Sequence, residues 1–365
     1  MEHFENESRF KGLKVNDGVE QPPSVHPESV RKFLANRKNP LSVDDLFNGI
    51  REGNITLLSK AVTLVESSKP EHIELAREIV MKCLPLSGKS VRIGITGIPG
   101  VGKSTFIEAL GRLITESGSK LGVLAIDPTS ERSGGSILGD KTRMEALSSN
   151  PRAYIRPSPS AGTLGGVARK TRETIILCEA AGFDTLFIET VGVGQSETAV
   201  HSMTDFFLLL MLPGAGDELQ GIKRGIMEMA DLLVVNKADS NNVEKAELAV
   251  SQYRNALHLF PRKNSEWDTA VLSCSATMRT GLSGVWNAIQ EYFRLTKDTG
   301  YFWKNRNDQS IYWMRQSIEE QLKIKFYHDP EVKKKLTEFE QKVINSELSS
   351  FVAANELINS FFNKK

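Results

Sequence analysis

Cysteine is scarce: Cys83, Cys178 and Cys274 are the three in 365 residues. They are odd in number, widely separated and each set in an apolar segment, which excludes a disulfide framework and fits reduced thiols in a core. No C-x-x-C occurs and the six histidines are dispersed along the chain, so a His-rich or Cys/His metal motif is absent from the sequence. A surplus of one charge is lacking too. With 46 Lys and Arg against 45 Asp and Glu, there is no basic excess of the kind that nucleic acid or an acidic membrane selects. Long apolar runs are missing: FFLLLML at 206–212 is far too short to cross a bilayer and stops at Pro213 and Gly214. The opening MEHFENESRFKGLKVNDGVEQPP is polar and acidic from Glu2, unlike an export or organelle address. The expectation is a cytoplasmic protein with neither a membrane nor a nucleic acid as partner.

What the sequence does have is rhythm. Residues 1–25 read as a flexible tail, rich in charge and poor in apolar side chains. A helical segment is expected over 26–87, where SSKPEHIELAREIVMKCL has Ser68 placed as an N-cap, Pro70 in the first turn and Glu71 three residues after the cap. Ile73, Leu75, Ala76, Ile79, Val80 and Leu84 then recur at helical spacing. From residue 88 to 296 short apolar runs alternate with amphipathic stretches: VRIGITG, LGVLAID, AYIRPS, FDTLFIET, DFFLLLML, DLLVVNKAD and TAVLSCSA. Continuous hydrophobicity is what strands covered on both faces require, so the fold class is α/β with a doubly wound, mostly parallel sheet. Residues 297–365 read as a helical C-terminal region.

The first strand runs into GITGIPGVGKST. Gly97, four residues, then Gly102-Lys103-Ser104-Thr105 fits G-x-x-x-x-G-K-[ST] in full and sits between a strand and a helix. Glycines allow the backbone of Gly97, Pro99, Gly100, Val101 and Gly102 to curl so that N–H groups converge on a phosphate, with the helix N-terminus behind them. Lys103 is expected to reach the β- and γ-phosphates, and the hydroxyl of Ser104 to ligate Mg²⁺. Asn236-Lys237-Ala238-Asp239 ends a later strand. A carboxylate at Asp239 pairs with the two donors on guanine's Watson–Crick edge, whereas adenine offers no such pair. Asn236 is expected to tie this loop to the phosphate loop, and Lys237 to lie along the base. Ser275, Ala276 and Thr277 end the next strand, where a backbone N–H would meet guanine O6. The cofactors read out are GTP/GDP and Mg²⁺, with ATP the other candidate nucleotide.

Asp127 closes LGVLAID, Glu189 closes FDTLFIE, and Asp140 lies in GGSILGDKTRM. Carboxylates at such strand ends hold Mg²⁺ directly or through water, so Ser104, Asp127, Asp140 and Glu189 are the metal candidates, and Lys103, Asp127 and Glu189 the catalytic ones. Glu189-Thr-Val-Gly192 stands where Ras-like GTPases have D-x-x-G, with Glu for Asp and no glutamine directly after the glycine. PGAGDELQGIKRG at 213–225 has four glycines beside Asp217, Glu218, Gln220, Lys223 and Arg224, a composition suited to a segment that rearranges with nucleotide state or grips a partner.

Together, GIPGVGKSTFIEALG, VLAIDPTS, GGSILGDKTRM, AYIRPSPSAGTLGG, IETVGVGQSE, GAGDELQGIKRGI, NKAD and SCSAT resemble the MeaB/ArgK-like GTPases, from about residue 40 to the C-terminus. That resemblance implies a SIMIBI-type P-loop core and a homodimer formed through the C-terminal helices. It also implies a chaperone that binds an adenosylcobalamin-dependent methylmalonyl-CoA mutase or a related acyl-CoA mutase. Such proteins gate cofactor delivery from an adenosyltransferase and protect or reactivate the mutase. Two alternatives remain open: a metallochaperone GTPase of the nickel-insertion type, and a kinase serving lysine/arginine/ornithine transport.

Overall fold

The computed structural model describes residues 41–127, 144–159, 164–190, 196–214 and 224–363. Its compact units are Met1–Asp45, described only over 41–45, and Leu46–Lys365. The proposed tail at 1–25 therefore lies outside the described residues. Three helices come first, α1 (Val43–Arg51), α2 (Ile55–Glu66) and α3 (Pro70–Cys83). Ser68 does not cap α3. The N-cap is Lys69, which makes no side-chain cap bond, while the hydroxyl of Ser67 accepts from the Lys69 N–H at 3.3 Å and meets His72 Nδ1 at 2.8 Å. Of the apolar stripe read for α3, Ala76 and Ile79 are buried but Ile73, Leu75 and Leu84 are exposed.

The seven apolar runs are all strands: β1 (Val91–Gly97), β2 (Leu121–Asp127), β3 (Ala153–Pro159), β4 (Thr185–Thr190), β5 (Phe206–Met211), β6 (Leu232–Val235) and β7 (Ala270–Ser273). They form one sheet in the order β3-β2-β4-β1-β5-β6-β7, with all six neighbouring strand pairs parallel. The chain leaves β1 to build one side of the sheet and then crosses to build the other, so β1 stands at the reversal point where open α/β sheets bind ligands. Between the strands lie α4 (Lys103–Glu116), α5 (Glu145–Ser148), α6 (Leu164–Ala180), α7 (Ser196–His201), α8 (Arg224–Met229) and α9 (Val243–Leu257).

Both sheet faces are covered, which explains why FFLLLM is apolar without a break: all six residues of β5 are buried. Leu208 and Leu210 join a core with Ile93, Ile95, Phe106 and Leu110, whereas Leu209 and Met211 join a second core with Leu233, Val235 and Tyr253. Alternate side chains thus supply opposite layers.

After β7 come α10 (Leu282–Asp298), α11 (Tyr301–His328), α12 (Pro330–Ile344) and α13 (Ser350–Phe362). The first half of α11 is fastened at the amino ends of the strands by polar groups at helical spacing. Arg306 makes a two-pronged ion pair with Asp205 at 2.6–2.7 Å and donates to the carbonyls of Gly88 and Ser90. Gln309 donates to Thr204 O and Trp313 Nε1 to Ser202 O. Beyond Trp313 the character reverses, and Met314, Ile318, Leu322, Tyr327, Phe351 and Phe362 are exposed.

Candidate nucleotide site

The carboxyl end of β1 carries the predicted phosphate loop, and two of its glycines are required by geometry. Gly97 ends the strand at φ +158°, and a Cβ there would fall 2.6 Å from the Leu210 carbonyl oxygen of β5. Gly102 is the N-cap of α4 with φ +90°, a left-handed conformation that only glycine takes at little cost. No side chain caps α4. Its first-turn N–H groups, carrying the positive end of the helix dipole, are therefore suited to an anion. Lys103 folds back over the loop, its ammonium donating to Gly97 O at 2.9 Å and Ile98 O at 3.4 Å. Ser104 follows half-buried and Thr105 exposed.

The second loop is joined to the first. Asn236, buried after β6, donates through Nδ2 to Val101 O at 2.9 Å and accepts through Oδ1 from the Ala276 N–H at 3.1 Å. The Cys274 thiol, pushed up to about 12 by burial, also donates to that Oδ1 at 3.6 Å. The missing side chain of Gly102 makes room here, since a Cβ would sit 3.1 Å from Asn236 Nδ2. Lys237, itself at φ +62°, donates from Nζ to Gly100 O at 2.8 Å. Asp239 accepts from the buried Ser275 hydroxyl, which in turn accepts the Met278 N–H at 3.1 Å. Ser275 is also held to Thr280 by two backbone bonds. Sequence spacing foresaw the tie from Asn236 to the phosphate loop. It did not foresee that one backbone N–H of the stretch set against guanine O6, that of Ala276, is engaged by Asn236.

Glu189 sits one residue from the end of β4, beside Ile95 of β1 and Ala125 of β2, and is only 8% exposed. Burial holds the Lys103 ammonium below its ordinary value, while Glu189 and Glu197 pull it back up. Glu197 was not singled out in the sequence. It lies in the first turn of α7, 2% exposed, and its signal was an acidic residue just after the VGVGQ sequence that follows β4. Two further hydroxyls join the carboxyl ends of β4 and β1: Thr190 Oγ1 donates to Thr96 Oγ1 at 2.8 Å, both buried. Asp127 is the last residue of β2, in register with Pro159 of β3, and its side chain lies outside what is described. Asp140, Gly192 and residues 215–223 of the switch-like loop are also outside the described residues. Chemically, the site offers a cation at a helix N-terminus, with the Glu189 and Glu197 carboxylates near enough to act on it and a further carboxylate on the attached loop.

The family model for "Methylmalonyl Co-A mutase-associated GTPase MeaB" matches residues 58–331. A probable GTPase of Mycobacterium tuberculosis is 47% identical over 317 residues, 87% of this chain and 94% of that one. The GTPase ArgK of Escherichia coli is 45% identical over 284 residues, 78% of this chain and 86% of its own. A mouse protein named methylmalonic aciduria type A homolog, mitochondrial, is 44% identical over 329 residues, 87% of this chain and 79% of its own. Among solved structures, one described as a LAO/AO transport system kinase superposes with a TM-score of 0.72 at 35% identity, covering 89% of this chain and 99% of that one. With the phosphate loop and its attached NKAD loop in place, these likenesses decide the matter: the chain belongs to the family of methylmalonyl-CoA mutase-associated GTPases named for MeaB.

Proposed function

We propose that this protein is a GTP-hydrolysing chaperone of an adenosylcobalamin-dependent methylmalonyl-CoA mutase or a related acyl-CoA mutase. It would gate cofactor delivery from an adenosyltransferase and protect or reactivate the enzyme. The observation that carries the nucleotide part is the direct tie between the loops, Asn236 to Val101 and Lys237 to Gly100. It makes the phosphate cradle and the base-selecting carboxylate one unit. Gly97, Pro99, Gly100, Val101, Gly102, Lys103, Ser104 and Thr105 would hold the phosphates, and Asn236, Lys237, Asp239, Ser275, Ala276 and Thr277 the base. The hydroxyl of Ser104 and the carboxylates of Glu189, Asp127 and Asp140 are all oxygen donors, the type Mg²⁺ takes, and would hold the ion. Bound there, the ion would neutralise phosphate charge during hydrolysis. Lys103 keeps its ammonium where its bonds to the loop carbonyls can be exchanged for bonds to phosphate.

The mutase part is supported by the family's description and by the mouse relative's name. The homodimer is supported by the apolar side chains left exposed along α11 and α13, Ile318, Leu322, Phe351 and Phe362 among them. Residues 213–225 remain the proposed segment that signals nucleotide state. A kinase reading is kept as the second because of the 35% identical solved structure described as a transport system kinase. Labelled GTP separates the two: free phosphate supports the chaperone, and label on a partner protein supports the kinase.

Two measurements test the main reading. Purified mutase titrated against the GTP- and GDP-loaded protein should bind with affinities that differ about 5- to 150-fold, the usual size of a coupling. Equal affinities would remove the proposed gating. Asp239→Asn should weaken GDP about 10- to 150-fold, because a charged acceptor becomes a donor facing guanine's donors, and should improve xanthosine diphosphate. Equal wild-type affinity for GDP and ADP would overturn the guanine assignment.

A further inference from the structure

A cavity of about 1230 Å³ opens between α3, α6 and α11. It lies at the amino ends of the strands, with Gly88 and Arg92 in its wall, one strand length or about 20 Å from the phosphate loop. Five arginines line it, and four are paired. Arg77 meets Glu74 at 3.8 Å, Arg169 meets Glu173 at 3.7 Å, Arg92 makes two bonds to Glu179 at 2.9 and 3.0 Å, and Arg306 is held by Asp205. The fifth, Arg172, has no carboxylate within 4.0 Å among the described residues; its guanidinium lies 5.4 Å from the ring centroid of Trp313. That indole is itself fixed by its N–H bond to Ser202 O. Burial and the neighbouring Arg92 push Arg172 down to about 10, so it stays charged at neutral pH, half-buried and balanced by an aromatic face alone. Ring contact compensates a desolvated cation only in part, and an anion compensates it far better. The remaining wall is mixed: Ile73, Leu84, Trp303, Met314 and Ile324 are exposed apolar side chains, and Glu319, Glu320 and Lys323 of α11 stand in the same wall.

We propose that this cavity binds an amphipathic organic anion, whose carboxylate pairs with Arg172 over Trp313 and whose apolar body lies against α3 and α11. A half-buried cation without a carboxylate partner, set against an indole and beside exposed apolar side chains, is an arrangement that orients such a ligand, and its burial sets it apart from the exposed Lys323 of the same wall. The proposal does not depend on the nucleotide or mutase readings, since none of these residues belongs to the nucleotide site.

Isothermal titration of the full-length protein with sodium octanoate, n-octanol and inorganic phosphate tests it. Octanoate should bind the wild type about tenfold or more tightly than Arg172→Gln, while octanol shows no such difference between the proteins. Arg172→Lys, which keeps the charge but loses the planar fork, should fall between. Both variants should keep basal GTP hydrolysis, which reports an intact fold. Absence of octanoate binding to the wild type, or binding unchanged in Arg172→Gln, would overturn the proposal. So would inorganic phosphate binding as tightly as octanoate, which would mean an ion site without an apolar part. Sedimentation supplies the last arm: if the wild type is a dimer that Arg172→Gln dissociates, the occupant is an acidic side chain of a second copy and the small-ligand proposal fails.

Discussion

The two ends of the sheet handle charge in opposite ways. At the amino ends, buried ions are matched to one another: Arg306 with Asp205, Arg92 with Glu179, and Lys263 with Asp231 at 2.8 Å. At the carboxyl end, Lys103 and Lys237 rest on carbonyl oxygens of the phosphate loop, and Asp239 rests on a serine hydroxyl. Matched ions fix a fold because neither partner can leave without stranding the other. Ions resting on neutral groups can exchange those bonds for stronger ones when a charged ligand arrives. Arg172 departs from the pattern at its own end of the sheet, and that contrast is why it reads as a site.

The acid side of the comparison is visible in Glu179. Burial works against its charge, but the guanidinium of Arg92 and the donors of Ser90 and Gly88 win, holding the carboxyl below its ordinary 4.5. A depressed carboxylate contributes stability that is complete above 4.5 and is lost as the pH falls through its folded value. The amino end should therefore loosen first on acidification.

The largest expected effect breaks the amino end. Arg306→Ala would leave Asp205, whose side chain is 2% exposed, as a buried charge without its partner, at a cost of about 3–5 kcal/mol in denaturant unfolding. Adding Asp205→Asn should recover part of that loss, because it removes the stranded charge. A cost below about 1 kcal/mol would mean that solvent screens this pair and that the contrast between the ends is false.

A smaller effect is expected where the two loops join. Asn236→Ala removes an amide with partners on two separate segments, leaving Val101 O and the Ala276 N–H without it. The expected cost is about 1–3 kcal/mol of stability, accompanied by weaker GDP binding as the base loop detaches from the phosphate loop. Unchanged GDP affinity, read by titration, would show that the tie does not organise the site.

These two residues also mark what a sequence can reveal. The strands were legible because a two-sided burial demand writes itself as an unbroken apolar run, as in FFLLLM, and the phosphate loop because its glycines and lysine are adjacent in the chain. The tie from Asn236 was legible because its loop has a recognisable spelling. Arg306 was not: its partners Gly88 and Asp205 lie 218 and 101 residues away, and a lone arginine on a helix carries no local period that points to them. The misplaced cap at Ser68 has a related cause, since Ser67, one residue earlier, has the hydroxyl that bonds Lys69 and His72. Ile73 and Leu84 matched the helical stripe but line the cavity beside Arg172, because periodicity reports which face is apolar and not what covers it.

The smallest expected change in stability, with the opposite sign, comes from Lys103. Its ammonium is held below the ordinary 10.5 by burial, against the pull of Glu189 and Glu197. A lysine with a depressed folded value binds its proton less tightly in the folded state than in the unfolded chain, so it destabilises the fold at neutral pH. That penalty fades as the pH rises from the folded value toward 10.5. Lys103→Met keeps the stem and deletes the charge. The variant should lose GTP hydrolysis, since the phosphates lose their cation, yet be as stable as the wild type or more so, within about 1 kcal/mol. Any gain should be constant near pH 7 and shrink on approach to pH 10.5. Unfolding curves at pH 7 and pH 10 for both proteins, without nucleotide, check the sign. A loss as large as that from Arg306→Ala, or a gain that grows with pH, would mean that Lys103 is a matched structural ion like those at the other end of the sheet.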